Sequence, residues 1–423
     1  MKQLKKHIIA AVVGTTLCVV PVGMACAASA AQTLLYGAAA MAMAKQRLMQ
    51  MDNAKSPQML NQVQAKTGVE QNEYYSNRLE RIQSNLMATG LVKRNYDAYV
   101  NPSSDLNAFE TIGGIISVNK GMMDAMNDDE LAFTMSHEMQ HGEKRHGVNG
   151  VLKSIGVATL VDVAFGGNAE LLDILLGSVV VNYIDNEMVT MDQEKQADSE
   201  GFKVLKNTQY NVGGAASSME YVYEQYGELY QEGWGRVLRP NNHPQMSSRI
   251  EKLAGRMTQW SGNHVQVGGA MVYVNAKPVL TPAKAGNYSS RRRAFLVAGN
   301  ISRVTNRVYG EAPSENKVVT HTLTSKEPTW DARVSGNDVY LNDQRLMTLA
   351  AGDDGPTFTT KLTEALTSKP AMLSKKEIQN INKEWTKKYG YKEKKNKDDK
   401  KDKNGTAKKD TKNDTTKGTQ EKK

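Results

Sequence analysis

Apolar positions recur with a helical period through most of the first half of the chain. Residues 31–64 are rich in Ala, Met and Gln and fit a loosely packed helix. The pattern then predicts a long helix from Val69 to Arg94. Its apolar stripe consists of Tyr75, Leu79, Ile82 and Leu86. Two more helices are predicted, from Asp128 to Gly142 and from Met191 to Leu205, so this part of the chain should be mainly helical.

A stretch with strand character separates the first two of these helices. Tyr99-Val100 predicts a short strand, and a β-rich segment runs from Glu110 to Val118. That segment contains Gly113-Gly114, and a glycine inside a strand often marks a place where another backbone approaches closely. The pattern therefore predicts either a strand that offers an edge to a partner or a plain hairpin with a bulge.

Between Gly147 and Val189 the chain is apolar and rich in glycine. Lys153, Asp162 and Asp173 interrupt this stretch. No uninterrupted run reaches the roughly 18 apolar residues that are typical of a membrane span. Buried helices are therefore predicted here, and shallow contact with a membrane surface stays open.

The last third of the chain repeats one pattern twice. A hairpin is followed by a polar turn and a helix, and the same order then returns, which predicts a small α/β domain over residues 262–390 built from two similar halves. Its elements are hairpins at 272–281 and 339–348, helices at 289–308 and 356–366, and a final amphipathic helix from Leu373 to Tyr389. No catalytic constellation is evident in it.

The first 30 residues have the form of a secretory signal. A positively charged start precedes an apolar run from Ile8 to Val20, and Ala28-Ser29-Ala30 fits a cleavage site for small residues. We therefore expect export to the periplasm or cell envelope, with secretion or lipid attachment at Cys26 as variants. Both cysteines, Cys18 and Cys26, lie in this leader, so the cleaved chain would have no disulfide.

Residues 391–423 form a tail with thirteen lysines, seven acids and few apolar residues, and disorder is predicted for it. The remaining part, residues 31–390, contains 38 basic and 38 acidic side chains. A neutral folded part argues against a nucleic-acid-binding groove, although the formal net charge of the whole chain is +9. Whether the tail touches anionic polymers or lipid headgroups, or only keeps the chain solvated, stays open.

The candidate chemistry lies in the helix predicted from Asp128, in the sequence LAFTMSHEMQH. His137 and His141 are four residues apart, so both imidazoles project from one face, and Glu138 lies beside that face. Two histidines and a glutamate at this spacing are suited to holding a zinc ion and activating a water molecule. The alternative is a surface helix that carries two histidines by chance.

A catalytic zinc site needs a third protein ligand and an open fourth position. Because the cleaved chain would lack cysteine, that ligand must offer nitrogen or oxygen. The helix from Met191 to Leu205 presents Glu194 and Asp198 on one face. Glu194 would complete a site for one Zn²⁺ per chain, and Asp198 could accept the free N–H of a ligand histidine. The alternative is an exposed helix with ordinary charges.

Three blocks, in this order, resemble the M48 family of zinc metallopeptidases and in particular its soluble exported branch. The blocks are NAFETIGGIISVNKGMMDAMNDDELAFTMSHEMQHGEKRH from Asn107 to His146, EKQADSEG from Glu194 to Gly201, and HPQMSSRI from His243 to Ile250. The resemblance covers roughly residues 70–257 and implies a metallopeptidase domain over residues 31–260. The implied fold class is α+β, a mainly helical zincin-type domain with a small edge-exposed β-sheet, followed by the small α/β domain and the disordered tail.

The resemblance also implies roles for individual residues. Zinc would be bound by His137, His141 and Glu194, with Glu138 as the general base and Asp198 in support. His243 and Arg249 would approach the site and steady the oxyanion. The substrate edge strand would be formed by Gly113, Gly114, Ile115 and Ile116. The sequence departs from the family at Ile112, where proline is usual, and at Gln196, where glutamate is usual; neither position is a metal ligand.

The implied function is zinc-dependent endopeptidase activity on envelope or misfolded proteins, with zinc-bound water activated by Glu138. The expected partners are unfolded or misassembled protein substrates, with peripheral contact to membrane or envelope, and not nucleic acid. The alternative is a latent or inactive peptidase fold that acts as an envelope-binding or chaperone-like module through its C-terminal half. The intact set His137, Glu138, His141 and Glu194 argues against that alternative.

Overall fold

The computed structural model of the chain describes residues 30–54, 56–155, 169–183, 189–228 and 245–390. The predicted signal segment (apart from Ala30), His243 and the predicted disordered tail lie outside the described residues. The helices as far as residue 260 are α1 (Ala30–Asn53), α2 (Pro57–Thr67), α3 (Glu73–Met87), α4 (Lys120–Ala125), α5 (Asp128–Glu143), α6 (His146–Ser154), α7 (Ala169–Tyr183), α8 (Met191–Lys206), α9 (Gly214–Tyr226) and α10 (Met246–Trp260). The strands of this part are β1 (Asp97–Asn101), β2 (Ala108–Thr111) and β3 (Ile115–Asn119).

The part after residue 260 begins with strands instead of helices. Its elements are β4 (Val265–Gly268), β5 (Met271–Val274), β6 (Lys277–Leu280), α11 (Ser290–Tyr309), β7 (Ala332–Ser335), β8 (Asp338–Leu341), β9 (Gln344–Thr348), α12 (Gly355–Leu366) and α13 (Lys375–Tyr389). Helices and small sheets together confirm the predicted α+β class. Among the described helices, none has both the length and the apolar character that crossing a membrane requires.

Local signals at the helix ends explain where the predicted helices were too long. Asn72 begins α3, because its side chain accepts a hydrogen bond from the Tyr74 backbone N–H, and the helix ends at Met87 shortly before Gly90 takes a positive φ of 68°. The predicted helix from Val69 to Arg94 therefore extended too far at both ends. Residues 31–64 form two helices, because Pro57 starts α2.

The first sheet is buried on both faces. Strand β3 lies in its centre, parallel to β1 and antiparallel to β2. Because side chains alternate along a strand, Ile116 joins the core formed with α3, α5, α8, α9 and α10, whereas Ile115 joins a second core formed with α1, α2, α6 and α7. The sheet is therefore a central layer between two groups of helices.

The central position of β3 corrects the predicted substrate edge strand. Gly113 and Gly114 lie in the turn between β2 and β3, with φ of 94° and 69°, and Ile115 and Ile116 are in the central strand. No pattern in the sequence indicated that β1 would pair with β3 on its other side. The hairpin alternative describes this segment better, and the sheet edge next to α5 is β2.

The C-terminal part has two sheets of the same form, and corresponding positions such as Val272 and Val339 are 67 residues apart. Each half is a three-stranded antiparallel sheet followed by a helix, and each sheet has a register shift, at Val272/Tyr273 and at Val339/Tyr340. The turn residues that follow, Asn275 and Asn342, both have positive φ, 48° and 55°. Both hairpins were predicted, but the first strand of each sheet, β4 or β7, was not.

The two parts of the chain share one hydrophobic core. Element types change after Trp260, where the predicted metallopeptidase and α/β domains meet, yet one apolar cluster continues from α3 through α10 into the C-terminal sheets and α12. Helix α11 packs against α9 and α10. Its Arg292 forms a fully buried ion pair with Glu130 at the start of α5, with Nη2 at 2.8 Å from Oε1.

Candidate metal centre

Helix α5 carries the two histidines and is buried almost from end to end. Its N-terminus is closed by a capping box, in which the Asn127 side chain accepts from the Glu130 N–H at 3.0 Å and the Glu130 carboxylate accepts from the Asn127 N–H at 3.1 Å. Every residue from Glu130 to Gly142 is buried. The predicted helix is thus confirmed, but it is a core helix, and the alternative of a surface helix is wrong.

Helix α8 crosses α5 at very close range. Gly201 permits this close approach because it has no side chain; a Cβ added there would lie 3.1 Å from the backbone nitrogen of His137. The Ser136 hydroxyl donates a hydrogen bond to the Gly201 carbonyl at 3.1 Å. The close crossing brings the first turn of α8, with Glu194, opposite the two histidines of α5.

Three side chains meet in this crossing. His137 Nε2 lies 3.1 Å from His141 Nε2, Glu194 Oε2 lies 3.7 Å from His137 Nε2, and Glu194 Oε1 lies 3.5 Å from His141 Nε2. All three residues are buried, and one ligand atom from each lies within 4.8 Å of the others. Sequence positions 137, 141 and 194 are thus brought together as the zinc prediction requires.

The donor set fits zinc. It consists of two imidazole nitrogens and one carboxylate oxygen, the combination found in catalytic zinc sites with three protein ligands. Burial, reinforced by the neighbouring His137, holds the pKa of His141 well below its ordinary value. A neutral imidazole keeps the lone pair that a metal needs.

The carboxylate of Asp198 lies next to His137, on the side away from the three-residue site. Its Oδ1 lies 3.0 Å from His137 Nδ1, the nitrogen that faces away from the three-residue site. Burial alone would raise the pKa of Asp198, but the charge of Arg249 and hydrogen bonds from His137 and Arg249 hold it well below its ordinary value. A carboxylate in this place fixes the tautomer in which Nε2 of His137 is free to bind a metal.

Arg249 lies on α10 and forms ion pairs with Asp198 and Glu194. Its Nε and Nη2 donate to the two oxygens of Asp198 at 2.9 and 2.7 Å, and its Nη1 lies 3.0 Å from Glu194 Oε2. All three nitrogens therefore face carboxylates, which favours a positioning role. Its predicted part in oxyanion stabilisation stays a prediction, as does that of His243, which lies outside the described residues.

Glu138 follows His137 on α5 and is also buried, with 2% of its surface exposed. Burial lowers the pKa of Arg249, but the charges of Asp198 and Glu194 raise it above its ordinary value, and the charge of Glu138 adds to that rise. Glu138 does not belong to the group of three ligand residues. Its predicted role as the general base stays a prediction.

Two contacts around the site were missed from the sequence. His146 places its Nδ1 3.1 Å from Nδ1 of His141, and its Nε2 lies 3.1 Å from Gln196 Oε1. The other is the buried pair of Glu130 and Arg292. A third histidine five residues after His141 was the available signal for the first; nothing in the sequence pointed to the second.

Residues 71–257 match the family described as Peptidase family M48. This part of the chain belongs to peptidase family M48. The M48 domain includes all three ligand residues together with Glu138, and the chain is accordingly a zinc metallopeptidase.

Named relatives agree with this assignment. Metalloprotease YcaL of Escherichia coli (strain K12) is 27% identical over 230 residues, which cover 53% of this chain and 82% of YcaL. Metalloprotease LoiP of the same organism is 28% identical over 167 residues, 39% of this chain and 63% of LoiP. A protease HtpX homolog of Salinibacter ruber is 28% identical over 137 residues, 29% of this chain and 49% of that protein. The last two matches span less than two thirds of those proteins.

Proposed function

We propose that the chain is an exported endopeptidase that cleaves unfolded or misassembled proteins of the cell envelope. The observation that carries this proposal is the buried site of His137, His141 and Glu194 with Glu138 beside it. Export is supported by the leader-like composition of residues 1–30 and by the absence of cysteine from the sequence after it.

Each residue of the site has a separate role in peptide hydrolysis. His137, His141 and Glu194 would hold the zinc ion, which when bound would supply a Lewis acid for the scissile carbonyl and for the attacking water. Glu138 accepts the proton of the attacking water and returns it to the nitrogen of the leaving amine. Asp198 keeps His137 in the required tautomer, and Arg249 balances the negative charge of Asp198 and Glu194.

The sheet suggests why unfolded chains would be the substrates. Strand β2 is the edge next to α5, and an extended peptide can pair with such an edge through its backbone. A folded protein has few unpaired extended segments that could pair in this way.

Peripheral contact with a membrane is also proposed, because both α1 and α7 carry exposed apolar side chains. These are Leu35, Tyr36, Met43, Leu171 and Ile174.

A second candidate function is a latent peptidase that needs an opening step. All four residues of β2 are buried, so the edge that a substrate would pair with is not open to solvent in this conformation. Such a protein could act as an envelope-binding or chaperone-like module until the edge is exposed.

One experiment separates these candidates. The chain from Ala31 onward would be loaded with zinc and incubated with unfolded casein and, separately, with a stably folded protein of similar size. Cleavage of casein alone, blocked by a zinc chelator and restored by added zinc, supports the proposal. Stoichiometric zinc without cleavage favours the latent protein, and equal cleavage of both substrates contradicts the proposed preference. Fractionation of cells that produce the full chain tests export.

A further inference from the structure

The two ligand histidines are supported differently on the side that faces away from the metal site. Nδ1 of His137 meets the carboxylate of Asp198. Nδ1 of His141 meets another imidazole instead, that of His146, at 3.1 Å, and the two rings are close to perpendicular, with an interplanar angle of 78°. His146 is buried, with 4% of its surface exposed, and its far nitrogen, Nε2, lies 3.1 Å from Gln196 Oε1.

Because a metal-binding nitrogen must be unprotonated, the position of each proton on His141 and His146 can be inferred. His141 faces the site through Nε2, so that nitrogen must be unprotonated and the proton of the neutral ring sits on Nδ1. Nδ1 of His141 therefore donates, and Nδ1 of His146 must accept. The proton of the neutral His146 ring is then on Nε2, where it donates to the amide oxygen of Gln196. Donors and acceptors match at both contacts.

A sharp turn of the backbone between α5 and α6 brings His146 close to the site. Arg145 stands between α5 and α6 with φ of 54° and ψ of 40°, a left-handed conformation that costs a residue other than glycine about 1–2 kcal/mol. Its guanidinium forms an ion pair with the buried Asp52 and donates to Asn53 Oδ1 at 2.9 Å. The end of α1 thus holds the turn that places His146 directly behind His141.

We propose that His146 and Gln196 are positioning residues for the metal, which fix the tautomer and ring orientation of His141 through a neutral imidazole–amide relay. Gln196 receives a role by this proposal at a position where the resemblance led us to expect glutamate. An amide oxygen accepts the proton of His146 without adding charge, whereas Asp198 supports His137 with a charge. This inference rests on the zinc site of the proposed function, but not on the reaction or the substrate.

The test measures zinc affinity, by competition with a chromophoric chelator, in the Glu138→Gln background so that peptidase activity plays no part. His146→Phe keeps a planar ring but removes the acceptor, and His146→Asn keeps an oxygen near the position of Nδ1. We expect His146→Phe to weaken zinc binding about 10- to 100-fold and His146→Asn to recover most of that loss. Absorption of the cobalt-substituted protein should change in His146→Phe and return towards the parent spectrum in His146→Asn.

Gln196 provides a second pair of variants that leave the core intact, because its side chain is exposed. Gln196→Leu removes the acceptor and should weaken zinc binding a few-fold, while Gln196→Glu supplies a stronger acceptor and should tighten it. Folding of each variant is checked by circular dichroism. The proposal is overturned if the folded His146→Phe or Gln196→Leu variant binds zinc as the parent does, or if His146→Asn is no better than His146→Phe. Absence of zinc binding in the Glu138→Gln parent would instead reject the metal site itself.

Discussion

Gly201 of α8 packs directly against the backbone of His137, so that an added Cβ would lie 3.1 Å from the His137 nitrogen and 3.2 Å from its Cα. The atoms it would meet are backbone atoms, which cannot rotate away. This contact sets the distance between the helix that carries the two histidines and the helix that carries Glu194. The geometry of the metal site therefore depends on the absence of a side chain at position 201.

Gly201→Ala should separate the two helices. In an exposed helix interior, replacing glycine by alanine stabilises a protein by about 1 kcal/mol. At position 201 we expect the opposite sign, a loss of about 1–3 kcal/mol in the free energy of unfolding, together with weaker zinc binding. Gly255→Ala on α10 is the matched control, since nothing lies within 4 Å of its added Cβ. Equal effects of the two substitutions in urea unfolding would contradict the account.

Arg249 balances the charge of two buried carboxylates. Its removal should therefore lower the stability of the metal-free protein more than that of the zinc-loaded protein. Arg249→Met leaves Asp198 and Glu194 buried without their cation, so we expect a loss of about 3–5 kcal/mol in the free energy of unfolding of the metal-free protein. Zinc replaces part of the missing positive charge, and the loss should be smaller in the zinc-loaded protein. Lys252→Met, on the exposed side of the same helix, should change stability by less than about 0.5 kcal/mol. An equal loss with and without zinc would show that Arg249 acts only by packing.

The buried pair of Glu130 and Arg292 should make both parts of the chain unfold together. Neither side chain is exposed, and Arg292 also stacks between the rings of Tyr221 and Tyr288, 4.0 and 4.1 Å from their centroids. Arg292→Met should lower the free energy of unfolding by about 3–5 kcal/mol, because it leaves the Glu130 charge buried.

The control for this pair is Arg307→Met, which breaks an exposed ion pair on the same helix and should cost less than about 1 kcal/mol. Both parts should still unfold in a single transition, followed by tryptophan fluorescence and by circular dichroism. Two separate transitions, with only the second shifted by Arg292→Met, would show that the C-terminal part is an independent domain.

Asp129 should make the protein less stable as pH rises from about 4 to about 6. Burial, with the charges of Glu130 and Asp128, raises its pKa to about 6 from an ordinary value of 3.8. Between these values the folded state binds more protons than the unfolded state, so stability falls as pH rises, and the full cost is present above pH 6. Asp129→Asn keeps an acceptor for the Asn211 N–H and removes the charge.

At pH 7 we expect Asp129→Asn to stabilise the protein by about 1–2 kcal/mol, after allowing for the favourable helix dipole that the carboxylate loses. Near pH 4 wild type and variant should be equally stable. Asp343→Asn, at an exposed position, should show no such dependence on pH. If the variant is less stable than wild type at pH 7, the charged carboxylate of Asp129 does not destabilise the folded protein as proposed.

The parts of the site that the sequence predicted are those whose signals are local. The four-residue spacing of His137 and His141 identifies one face of a helix, and Glu194 and Asp198 have the same spacing on α8. The repeat was visible for the same reason, because Asn275 and Asn342 occupy the same turn in two similar hairpins.

Other features depend on contacts between distant residues, and the sequence could not provide them. The pairing of β1 with β3, which moves Ile115 and Ile116 from the edge to the centre of the sheet, follows from how two layers of helices cover both faces. Arg292 lies 162 residues from Glu130, and no periodicity connects the two positions. His146 reaches His141 only because Arg145 adopts a left-handed conformation.

The role of Glu138 is tested by comparing wild type with Glu138→Gln, with zinc content and casein cleavage measured on the same samples. The substitution keeps His137, His141 and Glu194 and removes only the group that accepts a proton. We predict one zinc per chain in both proteins and a loss of cleavage in the variant of at least about 100-fold. Equal cleavage by the two proteins would contradict the assignment of Glu138 as the general base and with it the proposed mechanism.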